Sequence, residues 1–139
     1  MSRLLIATDE AGYGPKLGPL VIAGTAWKIP DVADDEETLN DLFAPLRQPS
    51  ESVAGPVFVD DSKAVFKPSQ GLDALHAVVS AAIHWSGSSP ETIIDWLQDI
   101  ASDDFGAIVS TRWFESLDDR RFLDQNEIRQ PLEQWTNGE

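Results

Sequence analysis

A cluster of glycines and prolines between two apolar runs limits this chain more than any other feature. The cluster contains Gly12, Gly14, Pro15, Gly18 and Pro19. It excludes a helix, because glycine is entropically costly in a helix and proline removes a backbone donor. The flanking runs, residues 4–7 and 20–27, are apolar and typical of strands. We therefore predict two adjacent antiparallel strands, the first of them buried on both faces.

The pattern after these strands predicts a mixture of secondary structure. Residues 38–46 predict a short helix, residues 56–59 a third short strand and residues 105–114 a further strand. The acidic residues 31–37 and the polar residues 48–55 predict loops.

Two helices in the middle of the chain have caps as well as apolar periodicity. The first follows Ser69, and its predicted apolar face contains Leu72, Leu75, Val79 and Ile83. The second follows Ser89, with Pro90 at its first position, and its face contains Ile93, Trp96, Leu97 and Ile100. Near the end of the chain, Pro131 disrupts the last helical pattern. The order of elements predicts one domain, residues 1–139, of the α/β or α+β class.

Charge and composition exclude several classes of function. The chain has 24 acidic and 10 basic residues, a net charge of −14, and such a field repels polyanions unless a basic site or a metal offsets it. Residues 1–30 have a net charge of +1, whereas residues 68–111 contain six acids and no Lys or Arg. The absence of cysteine excludes disulfides and thiolate sites. Without a signal-like or membrane-spanning apolar run, the sequence predicts a cytoplasmic protein that uses no membrane.

The paired acids Asp9 and Glu10 follow the first predicted strand directly. Carboxylates held at a strand end are hard oxygen ligands for Mg²⁺ or Mn²⁺. The glycines after them let the backbone approach a ligand closely and form an anion nest. A dinucleotide fingerprint is excluded, because it needs a helix where Pro15 and Pro19 stand. The alternative is a tight glycine-rich connection with two solvated acids.

A second polar stretch, Asp61-Ser62-Lys63, follows the third predicted strand. The Ser62 hydroxyl and the Lys63 charge both suit a phosphate oxygen. The alternative is a helix cap followed by a solvated lysine.

Together the two stretches resemble the N-terminal half of ribonuclease HII, the type 2 ribonuclease H family. The first motif is Asp9-Glu10-Ala11-Gly12-x-Gly14-x-x-x-Gly18-Pro19, and the resemblance extends over residues 4–80. It implies a ribonuclease H-like fold, a mixed sheet flanked by helices, which is incomplete in this chain. The implied reaction is hydrolysis of the RNA strand in RNA–DNA hybrids, including duplexes with single embedded ribonucleotides.

The resemblance also assigns roles to individual residues. It implies that Asp9 and Glu10 are catalytic and hold two divalent ions, Mg²⁺ or Mn²⁺, about 4 Å apart. The implied substrate-binding residues are Gly12, Tyr13 and Gly14 at the ribonucleotide, and Ser62 and Lys63 at a phosphate.

The chain departs from the family pattern in three respects, one of which is that it ends earlier than is usual for the family. The family usually has Arg or Lys at the position of Tyr13. This chain therefore lacks a cation there and has instead a ring that can stack on a sugar or base. A third metal-binding carboxylate before a glycine is not found in its usual setting, and the candidates are Asp103, Asp104, Glu115, Asp118 and Asp119. We expect weak activity from this chain alone, as from the N-terminal part of a longer enzyme, because two carboxylates hold two ions poorly.

A second hypothesis is a catalytically degenerate ribonuclease H-fold domain that uses its acidic surface to bind proteins. An incomplete sheet would leave an open edge, so this hypothesis includes a homo-oligomer formed through that edge. His76 and His84 share a helix side only approximately, which does not favour a metal pair. We interpret the five scattered tryptophans as core or interface residues.

Overall fold

A long β-hairpin opens the structure, a computed structural model that describes residues 2–10, 22–31, 33, 35–114 and 121–137. The strands β1 (Ser2–Glu10) and β2 (Ile22–Pro30) pair antiparallel over nine residues each. The predicted neighbouring strands are therefore confirmed, although both are longer than predicted. Strand β1 includes Asp9 and Glu10, which pair with β2, whereas the sequence predicted them just beyond the strand.

The two faces of this hairpin have different surroundings. One face packs on the helices, because Ile29 is buried and Trp27 lies against the ring of Phe43. The other face is open, and Leu4 and Ile6 on it are each 65% exposed. The prediction that the first strand is buried on both faces is therefore wrong. Its continuous apolar run resembles that of a central strand, but no described element covers this face.

A second, much smaller hairpin follows the first helix. The helix α1 (Glu36–Arg47) begins at Asp35, whose carboxylate accepts the Thr38 N–H at 2.8 Å. Two three-residue strands then pair antiparallel, β3 (Ser50–Ser52) and β4 (Gly55–Val57). The predicted loop over residues 48–55 therefore contains a strand. The reversal is tight, and Gly55 adopts φ 109°, which a residue with a Cβ rarely adopts.

The remaining secondary-structure elements of the described chain are helices. They are α2 (Ser62–Val65), a 3₁₀ turn at Pro68–Gln70, α3 (Asp73–Trp85), α4 (Ile93–Ile100), α5 (Phe105–Val109), a 3₁₀ turn at Arg112–Phe114 and α6 (Arg129–Asn137). The described chain is thus mixed α/β, with two separate two-stranded sheets. The single mixed sheet of a ribonuclease H-like fold stays a prediction.

Both helix caps predicted from serines lie too early in the chain. Ser69 lies in a 3₁₀ turn, and α3 begins only after Gly71, whose φ of 60° interrupts the helical path. Helix α4 begins at Thr92, which exchanges hydrogen bonds with Asp95 in a capping box. Ser89 therefore caps nothing, because the box three residues later satisfies more backbone donors.

Two predictions near the end of the chain are also wrong. Residues 105–114 form α5 and a 3₁₀ turn in place of a strand. Pro131 does not break α6, because it lies in the first turn, where its missing N–H would have no partner anyway. It is among the most deeply buried side chains of the structure.

The core lies between α3, β4, α6 and the segment before α6. Its buried members are Leu46, Val57, Ala77, Ala81, Leu123, Ile128 and Trp135. The rings of Trp27, Trp85 and Trp135 extend this core to the hairpin, with centroids 5.4 and 5.8 Å apart along the row. Core packing is thus confirmed for three of the five tryptophans.

Candidate metal site at the end of the first hairpin

The two predicted metal ligands are the last two residues of β1. Asp9 lies opposite Ala23 and Glu10 opposite Ile22. Asp9 is exposed. The strand pairing fixes its backbone and its side chain is accessible from solvent, which suits a ligand for a hard cation.

The residues that follow these two acids belong to the same predicted site. Gly12, Tyr13 and Gly14, the residues predicted to contact a ribonucleotide, lie outside the described residues.

The second predicted stretch forms the start of α2. Asp61 is the cap, and its carboxylate accepts the Lys63 N–H at 2.8 Å. The Asp61 N–H is in turn held by the Asp60 carboxylate at 2.7 Å. Ser62 and Lys63 are both exposed in the first turn. This arrangement agrees with the helix-cap alternative, and it leaves the Ser62 hydroxyl and the Lys63 ammonium accessible to an anion.

The two predicted stretches belong to different parts of the fold. Asp9 lies on the first hairpin, whereas α2 packs on α3. Among the candidates for a third carboxylate, Asp103 and Asp104 are exposed in the turn before α5, and the other three lie outside the described residues. No group of three or more acidic or histidine side chains in the described ranges is arranged to hold a metal ion.

The two histidines of α3 make different contacts within the described structure. His84 Nε2 lies 2.9 Å from the Leu123 carbonyl oxygen, and because a carbonyl only accepts, Nε2 carries the proton. Its other nitrogen, Nδ1, faces Ser89 Oγ at 3.4 Å. The ring of His76 stacks on Phe122 with centroids 6.2 Å apart. His84 therefore holds the segment before α6 in place.

Sequence reasoning missed an open pocket of about 620 Å³ beside this histidine. Its lining includes Ser89, Glu91, Arg121 and Gln125. The segment that forms one wall is stabilised by Arg121, which donates to both carboxylate oxygens of Glu127 at 2.7 Å. No sequence pattern indicated this pocket, because its residues come from two distant segments without periodicity.

The Arg121–Glu127 pair carries the largest electrostatic effect in the described chain. Hydrogen bonds from Arg121, and then from the Asp124 N–H, lower the pKa of Glu127 to about 2. The same contact raises the pKa of the Arg121 guanidinium. The Glu127 side chain is 22% exposed and the Arg121 side chain 58% exposed, so water screens part of this interaction. The pair is an anchor for its loop and has no free charge to offer a ligand.

In the described residues, no helix has the length and apolar character that crossing a membrane requires.

Searches against protein-family models, curated proteins and solved structures return no match for this chain.

Proposed function

We propose that this chain is a ribonuclease HII-like domain that binds Mg²⁺ or Mn²⁺ through Asp9 and Glu10. Its substrate would be the RNA strand of an RNA–DNA hybrid or of a duplex that contains ribonucleotides. The observation that carries the proposal is the position of Asp9, an exposed carboxylate at the end of a fully paired strand, directly before the glycine motif.

The donor chemistry fits these ions. Both ligands are carboxylates, and hard divalent ions prefer oxygen donors while keeping several water or substrate oxygens. When bound, the ions would activate water and stabilise the leaving 3′ oxygen. Asp9 and Glu10 would hold the ions through their carboxylate oxygens.

The other predicted residues would position the substrate. Ser62 donates a hydroxyl and Lys63 supplies a point charge, and both are accessible at the start of α2. A phosphate there would offset part of the repulsion that a chain of net charge −14 exerts on nucleic acid. The backbone at Gly12, Tyr13 and Gly14 would read the ribose 2′-hydroxyl.

The experiment that tests this function is a Mn²⁺ titration by calorimetry, run on the wild type, Asp9→Asn and Asp41→Asn. Asp41 is an exposed acid on α1 and serves as the matched control. We expect millimolar or tighter binding that Asp9→Asn removes and Asp41→Asn preserves. Weak cleavage of a ribonucleotide-containing duplex should disappear in the same variant. Binding that is absent in the wild type, or equal in all three proteins, would contradict the proposal.

A second candidate is a non-catalytic module that binds proteins through acidic side chains. It is favoured by the six acids of residues 68–111, all of which are exposed: Asp73, Glu91, Asp95, Asp99, Asp103 and Asp104. This candidate predicts a stably folded protein without cleavage and with little hybrid binding even at low salt.

A further inference from the structure

We propose that the outer edge of β1 pairs antiparallel with the same edge of a second copy of this chain. Within the described residues, β1 has one strand neighbour, β2, so its other edge presents a row of backbone donors and acceptors. An edge of nine residues without proline is long enough to act as a template for another strand.

The edge of β1 suits this pairing better than the edge of β2. Strand β2 carries Lys28 and ends at Pro30, and both residue types protect an edge from pairing. In β1 the five central residues, 4–8, contain no charge. Leu4 and Ile6 among them are each 65% exposed, and a paired strand would place cross-strand neighbours beside them.

The charges of β1 select one register. In a two-fold antiparallel pairing centred on Ile6, each residue faces the one equally far on the other side of the centre. Arg3 and Asp9 are each three residues from Ile6, so each Arg3 faces an Asp9 of the other copy. Opposite charges directly across a strand pair stabilise it. If the pairing is centred on Leu5 or on Ala7 instead, neither Arg3 faces an Asp9.

The uncharged positions are compatible with the same register. Ile6 faces Ile6 on the axis, and β-branched pairs are favourable across strands. Leu4 faces Thr8. Arg3 donates to the Ala33 carbonyl oxygen after β2, so the pairing requires its guanidinium, which has five N–H groups, to turn at least partly to the outer edge.

The pairing needs no metal and so goes beyond the proposed function. It has one consequence that rests on that function: Arg3 of the second copy would lie beside Asp9. A carboxylate has lone pairs for both a guanidinium and an ion. The second copy would thus bring a cation to the end of the strand where a substrate phosphate would approach.

A cysteine on the predicted axis tests the pairing directly, since the natural chain contains none. In Ile6→Cys the two thiols would face each other with Cα atoms about 4.5–5.5 Å apart, which a disulfide spans. Leu4→Cys is the matched control, because Leu4 is equally exposed but faces Thr8. We expect mild oxidation to link most of Ile6→Cys and little of Leu4→Cys. Equal linking of the two variants, or none in either, overturns the proposal.

Charge reversal provides a test that does not depend on cysteine. Arg3→Asp and Asp9→Arg each place like charges opposite one another at two positions of the dimer, so sedimentation should show about tenfold weaker association. The double variant restores opposite charges in the same register and should recover association. A wild type that is monomeric at all concentrations, or a double variant no better than the singles, overturns the pairing.

These outcomes separate the pairing from the proposed function. A dimer that binds no Mn²⁺ supports the pairing and contradicts the metal site. A monomer that binds Mn²⁺ through Asp9 supports the metal site and contradicts the pairing. The Mn²⁺ titration for this comparison uses the wild type, because in the paired form Arg3 of the second copy would lie beside Asp9.

Discussion

Ser80 and Leu123 are joined by a buried hydrogen bond, in which the Leu123 N–H donates to Ser80 Oγ at 3.1 Å. The Ser80 hydroxyl donates in turn to the His76 carbonyl at 2.9 Å. One turn further along α3, His84 binds the Leu123 carbonyl. Two side chains of one helix thus satisfy both backbone groups of Leu123, which would otherwise be buried without a strand partner.

Replacing this serine should therefore destabilise the fold. In Ser80→Ala the Leu123 N–H loses its partner while it stays buried, which costs about 1–3 kcal/mol of unfolding free energy. Urea denaturation measures this loss. Ser110→Ala is the control, because Ser110 is exposed and donates only to the Ala107 carbonyl of its own helix. If Ser110→Ala lowers the free energy of unfolding as much as Ser80→Ala does, the contact between Ser80 and Leu123 contributes no particular stability.

The Arg121–Glu127 pair should give the fold a marked sensitivity to acid. Because the folded-state pKa of Glu127 is lowered from 4.5 to about 2, its stabilisation is fully present above about pH 4.5. It is lost as the pH falls towards 2. Glu127→Gln should be less stable than the wild type at pH 7, and the two midpoints of thermal unfolding should converge near pH 2.

A neighbouring ion pair provides the control for this pH dependence. Arg129 and Glu133 are 3.9 Å apart, and both side chains are mostly exposed. Glu133→Gln should leave the pH profile unchanged, because exposed pairs contribute little. A Glu127→Gln profile parallel to that of the wild type from pH 7 to pH 2 would show that the pair adds nothing.

The core predicted from periodicity and the observed core differ at two positions that can be compared directly. Ile128 is fully buried, so Ile128→Ala should cost about 2–5 kcal/mol of unfolding free energy. Leu72, expected on the core face of a helix, is 59% exposed, so Leu72→Ala should cost less than about 0.5 kcal/mol. The denaturant midpoints of the two variants test this difference. A larger loss of stability in Leu72→Ala than in Ile128→Ala would show that the core lies where the periodicity predicts it.

The start of α4 can be tested in the same manner. Thr92 accepts the Asp95 N–H at 3.3 Å, and the Asp95 carboxylate accepts the Thr92 N–H at 2.9 Å. Thr92→Ala should therefore cost about 0.5–2 kcal/mol. Ser89→Ala should have little effect, since its two side-chain contacts are both 3.4 Å long. A larger loss in Ser89→Ala would restore the cap predicted from the sequence.

The sequence was informative where local chemistry decides the structure. The glycines and prolines at residues 12–19 predicted two antiparallel neighbours, and β1 and β2 are antiparallel neighbours. The apolar spacing at residues 72–83 predicted α3, although its start was placed too early because the left-handed Gly71 was not recognised. Burial could not be predicted, since Leu4 and Ile6 belong to an apolar run but lie on a face that no described element covers.

The candidate site also has features that local sequence predicts and features that depend on tertiary packing. Residue types and spacing predict Asp9, Glu10, Ser62 and Lys63 as site residues, and this remains a prediction. The distance between the strand end and α2 depends on how distant segments pack, which local patterns do not encode. The pocket at His84 was missed for the same reason, because the Leu123 segment reaches α3 from about 40 residues away.

The row formed by Trp27, Trp85 and Trp135 makes the hairpin optically visible. Trp27 lies on β2, whereas the other two indoles belong to α3 and α6. Their close, inclined rings couple electronically, so near-ultraviolet circular dichroism carries a signal that depends on how the hairpin is seated against the helices. Detachment of the hairpin would remove the contribution of the Trp27–Trp85 contact and leave that of the Trp85–Trp135 contact between α3 and α6, so a partial loss of the near-ultraviolet signal would distinguish detachment from global unfolding.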